Sequence, residues 1–210
     1  MSISERRQRE VAQREQLIIT TARELAESEG WDAVTTRRLA ERIEYSQPVL
    51  YSHFAGKDAI VDAVALVGFA ELLDALRIAA GQACSAEAAL DRVAGAYLDF
   101  AAGNGAVYQA MFTLATTLPF ATEQAPPQLK GGFGELRGVL AALHEGCEGC
   151  DHDIDVLTEV FWSTLHGMAV LLANGRIPAR LQDQRRAILV ELFGGAARPG
   201  TSAVRGPRQR

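Results

Sequence analysis

Apolar residues along this chain recur at three- and four-residue intervals. No segment alternates apolar and polar positions with the β-branched richness of a strand. The pattern predicts an all-α protein. Between Arg14 and Ser28, the residues Leu17, Ile18, Thr21, Ala22, Leu25 and Ala26 fall on one stripe, and Gly30 supplies the stop. A short helix over 36–43 follows, with Leu39, Ala40 and Ile43 facing inward and Thr35 or Thr36 as its N-cap. Residues 44–46 separate it from another short helix, 47–52, with Pro48 near its start. Ala55 and Gly56 break the chain before a long helix over 57–80. Further helices are predicted over 86–102, 106–118, 129–145, 154–174 and 179–193. About nine helices joined by short polar or Gly/Pro links make a helical bundle. The stretch 154–174 is apolar on nearly all sides, so it is expected to be covered on all sides. Beyond Gly194 the periodicity stops, and 195–210 reads as a disordered tail.

Charge refines this picture. The 210 residues carry a net charge of −5, unevenly spread. Residues 1–57 hold nine basic and nine acidic side chains, residues 58–194 eight and seventeen, and the tail four arginines with no acid. Such asymmetry suits a protein with one end on phosphates and an acidic body that stays off them. Three cysteines are too few for a disulfide framework in a chain of this length, and the start has no apolar signal core. The best apolar runs, 63–70 and 160–173, are shorter than the roughly 18 residues of a membrane helix, so a cytoplasmic protein with no membrane partner is expected. No phosphate loop, dinucleotide fingerprint, Gly-x-Ser-x-Gly or paired-carboxylate site is present, and the chain is read as no enzyme, with no cofactor.

The chemistry concentrates in 35–57. Two short helices with a three-residue turn describe a helix-turn-helix. The outward face of the second carries Gln47, Val49, Tyr51, Ser52 and His53, tips suited to groove edges and phosphates. Thr35, Leu39, Ala40, Ser46, Leu50, Tyr51, His53, Phe54 and Lys57 match, in order and spacing, the pattern Thr-x-x-x-Leu-Ala-x-x-x-x-x-Ser-x-x-x-Leu-Tyr-x-His-Phe-x-x-Lys. In these residues the chain resembles the tetracycline-repressor (TetR) family of transcriptional regulators. The resemblance implies a recognition helix over 47–53 in the major groove, with Thr36, Tyr51, His53 and Lys57 on phosphates. The full DNA-facing set is Thr35, Thr36, Arg37, Ser46, Gln47, Pro48, Val49, Tyr51, Ser52, His53 and Lys57. Glu44 departs from the pattern, since that turn position often carries Gly; a positive φ there would cost Glu steric strain. The arm with Arg6, Arg7, Arg9 and Arg14 either tracks phosphates or is solvated.

The spacing Trp162, His166, Gly167 and the cluster Tyr108, Met111, Phe112 resemble the Trp-His-Gly type of C-terminal domain within that family. Gly167 inside a helix suits close approach of another helix. The resemblance implies a DNA-binding domain over 1–56, a ligand-sensing and dimerising domain over 57–194, and a homodimer joined through 154–174 and 179–193. It implies a repressor released from a palindromic double-stranded operator by a small apolar effector. Tyr108, Met111, Phe112, Phe161, Trp162, Leu165 and His166 are the candidate effector residues; plain core packing is the other reading. His144, Cys147, Cys150 and His152 have metal-like spacing, so a metal- or thiol-sensing repressor is the alternative, against an ordinary glycine-rich loop.

Overall fold

The computed structural model describes residues 3–120, 122–145 and 152–195. Its secondary structure is helical throughout, with no strand among the described residues. Among the described residues nine α-helices run in order: α1 (Ile3–Glu29), α2 (Thr36–Arg42), α3 (Gln47–Tyr51), α4 (Lys57–Gly81), α5 (Ala86–Gly103), α6 (Gly105–Phe112), α7 (Pro127–His144), α8 (Ile154–Ala173) and α9 (Gln182–Gly195). Single 3₁₀ turns sit at Trp31–Ala33 and Ala179–Leu181. Most helix ends lie within two residues of the sequence expectation, and three elements differ by more. The arm is not separate: α1 is continuous from Ile3. The last helix divides into a 3₁₀ turn and α9, which runs on to Gly195. The third is α6, which ends at Phe112 rather than continuing to 118. There the Asp62 carboxylate collects the Thr116 hydroxyl (2.6 Å) together with the backbone N–H and hydroxyl of Thr117. Threonines whose groups are bound outside a helix ladder do not extend it.

The chain forms two compact units. The first combines the residues up to Ala75 with Asp99–Gly132. Its core begins with the α1 stripe, where Ile18, Ala22 and Leu25 are sealed and Thr21 and Ala26 nearly so. Leu17, placed on that stripe by spacing, is exposed instead. Trp31, Val34, Leu39, Ala40 and Leu50 close the layer over α1, and Ile60, Val61, Val64 and Ala65 present α4 to the same interior. Gly68 of α4 lets α6 come close. A Cβ there would stand 2.4 Å from Val107 Cγ1 and 2.7 Å from Met111 Sδ.

The second unit takes Leu76–Leu98 and the chain from Phe133 on. Leu90, Val93, Ala94 and Tyr97 of α5, Leu136 and Leu140 of α7, Phe161 and Leu165 of α8, and Leu189 and Phe193 of α9 form its core. The Phe161 and Phe193 rings meet edge to face at 5.0 Å. In α8 only Thr158, Phe161, Leu165 and Ala169 are buried. That corrects the expectation of a helix covered all round: at 100° per residue these four share one side, while exposed Val156, Val160 and Leu171 lie opposite. Gly167 is on that uncovered side, and a Cβ on it would meet nothing within 4 Å, so among the described residues no other helix packs against it. By length and composition α8 is also apolar enough to cross a membrane, unlike the shorter runs read from the sequence.

Candidate nucleic-acid interface

The helix-turn-helix is built by local rules. Thr35, in extended conformation, caps α2 by accepting a hydrogen bond from the Arg38 backbone N–H at 3.2 Å. At the other end Tyr45 N–H donates to the Ala40 carbonyl (2.9 Å) and Glu44 N–H to the Glu41 carbonyl (3.4 Å), the paired bonds of a Schellman cap. The left-handed position of that cap is Glu44, with φ of 58°. A glycine would sit there without cost; the glutamate is strained by roughly 1 kcal/mol. The turn then releases Ser46, and Pro48 enters α3 where its missing N–H leaves no bond unmade.

Arg38 ties α2 to the end of α1 through a forked pair with Glu29, Nη2 to Oε1 at 2.9 Å and Nη1 to Oε2 at 3.0 Å. The bonds from Arg38 hold the Glu29 carboxyl below its usual range and raise Arg38. Buried Leu50 fixes which side of α3 faces in. Its opposite edge leaves Gln47, Pro48, Tyr51 and Ser52 exposed, beside Ser46, with Val49 half-buried. The Tyr51 hydroxyl lies 3.3 Å from Thr36 Oγ1, so two groups expected on phosphates are held together at the surface. Arg37 is exposed and paired with Glu41 at 2.9 Å.

Two members of the expected set are placed differently. His53 was read as outward-facing, but its side chain is only 6% exposed and its Nδ1 lies 3.5 Å from the Glu15 carboxylate of α1. At the end of a five-residue helix, the packing of α3 on α1 turns that ring inward. Lys57 does start α4, but its ammonium donates to the Trp31 carbonyl at 2.5 Å.

That lysine leads to a network that periodicity did not reveal. The Trp31 indole N–H donates to the Ala106 carbonyl at 2.8 Å. Glu27 of α1 accepts the backbone N–H groups of Ala106 (3.0 Å) and Val107 (3.3 Å), satisfying the N-terminus of α6 with a carboxylate. Arg23 donates to Asn104 Oδ1 at 2.6 Å and to Glu71 of α4 at 2.7 Å. Three elements, α1, α4 and α6, are thereby joined by charged groups. The only sequence signal was the presence of Arg23 and Glu27 next to the buried stripe of α1.

The candidate effector residues fall in both units. In the first, Tyr108 and Met111 are buried, and the Phe112 ring meets Tyr108 at a tilt (4.8 Å) and Phe69 edge to face (5.3 Å). In the second, Phe161 and Leu165 are sealed in the core, while Trp162 and His166 are half-buried. Trp162 donates to the Tyr97 hydroxyl at 3.1 Å, and burial lowers the pKa of His166. His144 Nδ1 lies 2.9 Å from the Leu140 carbonyl. His152 is exposed, and Cys147 and Cys150 lie outside the described residues, as does the expected tail from residue 196. Among the described residues no three potential metal ligands cluster.

An all-helical chain with a capped helix-turn-helix presenting a polar edge has the architecture of a DNA-binding regulator. Comparison with known proteins names the family. The family described as "Bacterial regulatory proteins, tetR family" matches residues 18–64, and the one described as "Tetracyclin repressor-like, C-terminal domain" matches residues 90–193. The chain belongs to the TetR family of transcriptional regulators. Neither family description names the Trp-His-Gly subgroup, the likeness to which rests on the spacing of Trp162, His166 and Gly167 and on the cluster Tyr108, Met111 and Phe112. The class C tetracycline repressor of Escherichia coli is 53% identical over 48 residues, 23% of this chain and 22% of that protein. The matches to the tetracycline repressors thus span only 22–30% of their length. The uncharacterized HTH-type transcriptional regulator Rv0681 of Mycobacterium tuberculosis is 29% identical over 160 residues, 75% of this chain and 69% of that one. The fold is also that of the transcriptional regulator FadR of Bacillus subtilis in complex with stearoyl-CoA, with a TM-score of 0.66 at 16% identity, covering 86% of this chain and 98% of that one.

Proposed function

We propose that this regulator is a cytoplasmic homodimeric repressor that holds a palindromic operator through α3 and leaves it when a small apolar effector binds the body. The observation that carries this is the exposed edge of α3, where Gln47, Tyr51 and Ser52 stand clear of a buried Leu50. Ser46, Pro48 and Val49 adjoin that edge, and Thr35, Thr36 and Arg37 flank it with hydroxyls and a cation for the phosphates, while Lys57 ties the start of α4 to the Trp31 carbonyl. His53 takes part by orienting the end of α3 against α1. The division of labour runs at Lys57: residues 1–56 read DNA, and 57–194 sense and dimerise.

The uncovered apolar side of α8, with Val156, Val160, Gly167 and Leu171, and the exposed Ile188 and Leu192 of α9 supply the surface for a second copy. Such a pair would set two recognition helices at roughly the 34–36 Å of one helical turn of DNA. Effector binding at Tyr108, Met111 and Phe112, or at Phe161, Trp162, Leu165 and His166, would favour a second arrangement of the body. The Gly68 contact between α6 and α4 would pass that preference to Lys57. Affinity for the operator would fall by as much as the effector prefers the second state.

Selection of bound duplexes at fixed salt tests the reading: a palindromic consensus is expected, and a chain that binds every duplex equally, or none, overturns it. Because the B. subtilis neighbour was determined with stearoyl-CoA, long-chain acyl compounds are the first effectors to titrate against that consensus.

A further inference from the structure

Helix α1 extends well beyond what its core requires. Its first buried side chain is Ile18, and every described side chain before Glu15 is exposed or, at Glu10, half-buried. Over this stretch the helix borders a cleft of about 670 Å³ whose other wall is Ser52 and His53, at the end of α3. Arg7, Val11 and Arg14, spaced four and three apart, line the α1 wall from one side of that helix.

The charges there are not equivalent. Arg6 is paired with Glu10 at 3.0 Å, and Glu15 is the carboxylate beside His53. Arg6 thus offsets Glu10, while Glu15 stays partly exposed beside His53. Arg7 and Arg14 have no hydrogen-bond or ion-pair partner among the described residues, and both are exposed. Two free guanidiniums about two helical turns apart, on the wall of an open cleft beside the end of α3, fit a chain of phosphodiesters, since guanidinium forks match phosphate oxygens.

We propose that this cleft is a second DNA site: Arg7 and Arg14 hold the phosphate backbone flanking the groove that α3 enters. The site rests on the operator-binding reading above and adds to it a contact made by α1. It is indifferent to base sequence, so it strengthens binding and lengthens the footprint without altering which bases are read.

The test measures affinity for a selected operator duplex over a salt series, using the full chain, an Arg7→Ala/Arg14→Ala variant, and Arg9→Ala on another side of the same helix. The double variant is expected to show a log K against log salt slope shallower by about 0.9 per arginine per bound subunit. Its preference for operator over scrambled DNA and its melting temperature are expected to be unchanged. Shortening the duplex flanks should erase the difference between the double variant and the parent. Arg7→Lys/Arg14→Lys, which keeps the charges, should keep the slope. A double variant with the parental slope, or one matched by Arg9→Ala, overturns the proposal while leaving operator binding by α3 intact. A parent chain that ignores duplex DNA overturns the operator reading itself.

Discussion

The helix-turn-helix and helix α8 both leave part of their surface uncovered, with opposite chemistry. In α2 and α3 the apolar residues are spent inward, on Leu39, Ala40 and Leu50, and the free edge is Gln47, Tyr51 and Ser52. In α8 one side is sealed by Phe161 and Leu165, yet the opposite side is still apolar, at Val156, Val160 and Leu171. A wet, charged partner such as DNA suits the first surface, because polar groups there exchange water for phosphates and base edges. The second gains nothing from water and is the kind of patch that marks a protein contact. The contrast teaches that each exposed face states the chemistry of what covers it.

Placing charge on the uncovered side of α8 and α9 is the strongest way to break that comparison. Val160→Asp with Leu192→Asp should leave a folded chain but abolish self-association, since an unpaired charge buried in an interface costs roughly 3–5 kcal/mol. Sedimentation would report a monomer at concentrations where the parent is a dimer; a parent that is itself monomeric refutes the reading of this face. On the sealed side of the same helix, Phe161→Ala empties a fully buried position against Phe193 and should cost about 3–5 kcal/mol in urea unfolding.

A smaller effect is expected at Gly68. Its replacement by Ala drives a methyl toward Val107, whose buried Cγ1 has little room to retreat, and should destabilise by about 1–3 kcal/mol. The same variant should change how far an effector weakens operator binding, because it pries α6 from α4. Glu44→Gly acts the other way in the helix-turn-helix. Removing the left-handed glutamate should raise stability by up to about 1 kcal/mol, read as a higher urea midpoint. The smallest effect concerns pH. Burial holds the His166 pKa below its ordinary value of 6.5. The unfolded chain therefore binds that proton first, so the contribution is complete above about pH 6.5 and is lost as pH falls. His166→Gln should flatten that part of a stability–pH curve, and an unchanged curve would contradict it.

Several of these sites could be read directly from the chain and others could not. Thr35 as a cap, Pro48 near the start of a helix and Glu44 at a costly turn each follow from a few adjacent residues. His53 did not, because a residue at the end of a short helix can point either way until α1 packs beside it. The α6 boundary was missed for a similar reason. The stretch 113–118 lacks a breaker, and its exit from the helix depends on Asp62, more than fifty residues earlier.

What the sequence by itself determined was therefore local: helix after helix, the capped pair with its polar edge, and the family that this spacing marks. Such features arise from backbone preference and side-chain periodicity within a turn or two, so they are written where they act. Tertiary structure alone decided that Glu27 caps α6 from 79 residues away, that Gly68 sits where two helices nearly touch, and that α8 keeps one apolar side in the open. Those outcomes depend on which surfaces meet after the chain closes its loops, and close packing fixes them only once every neighbour is in place.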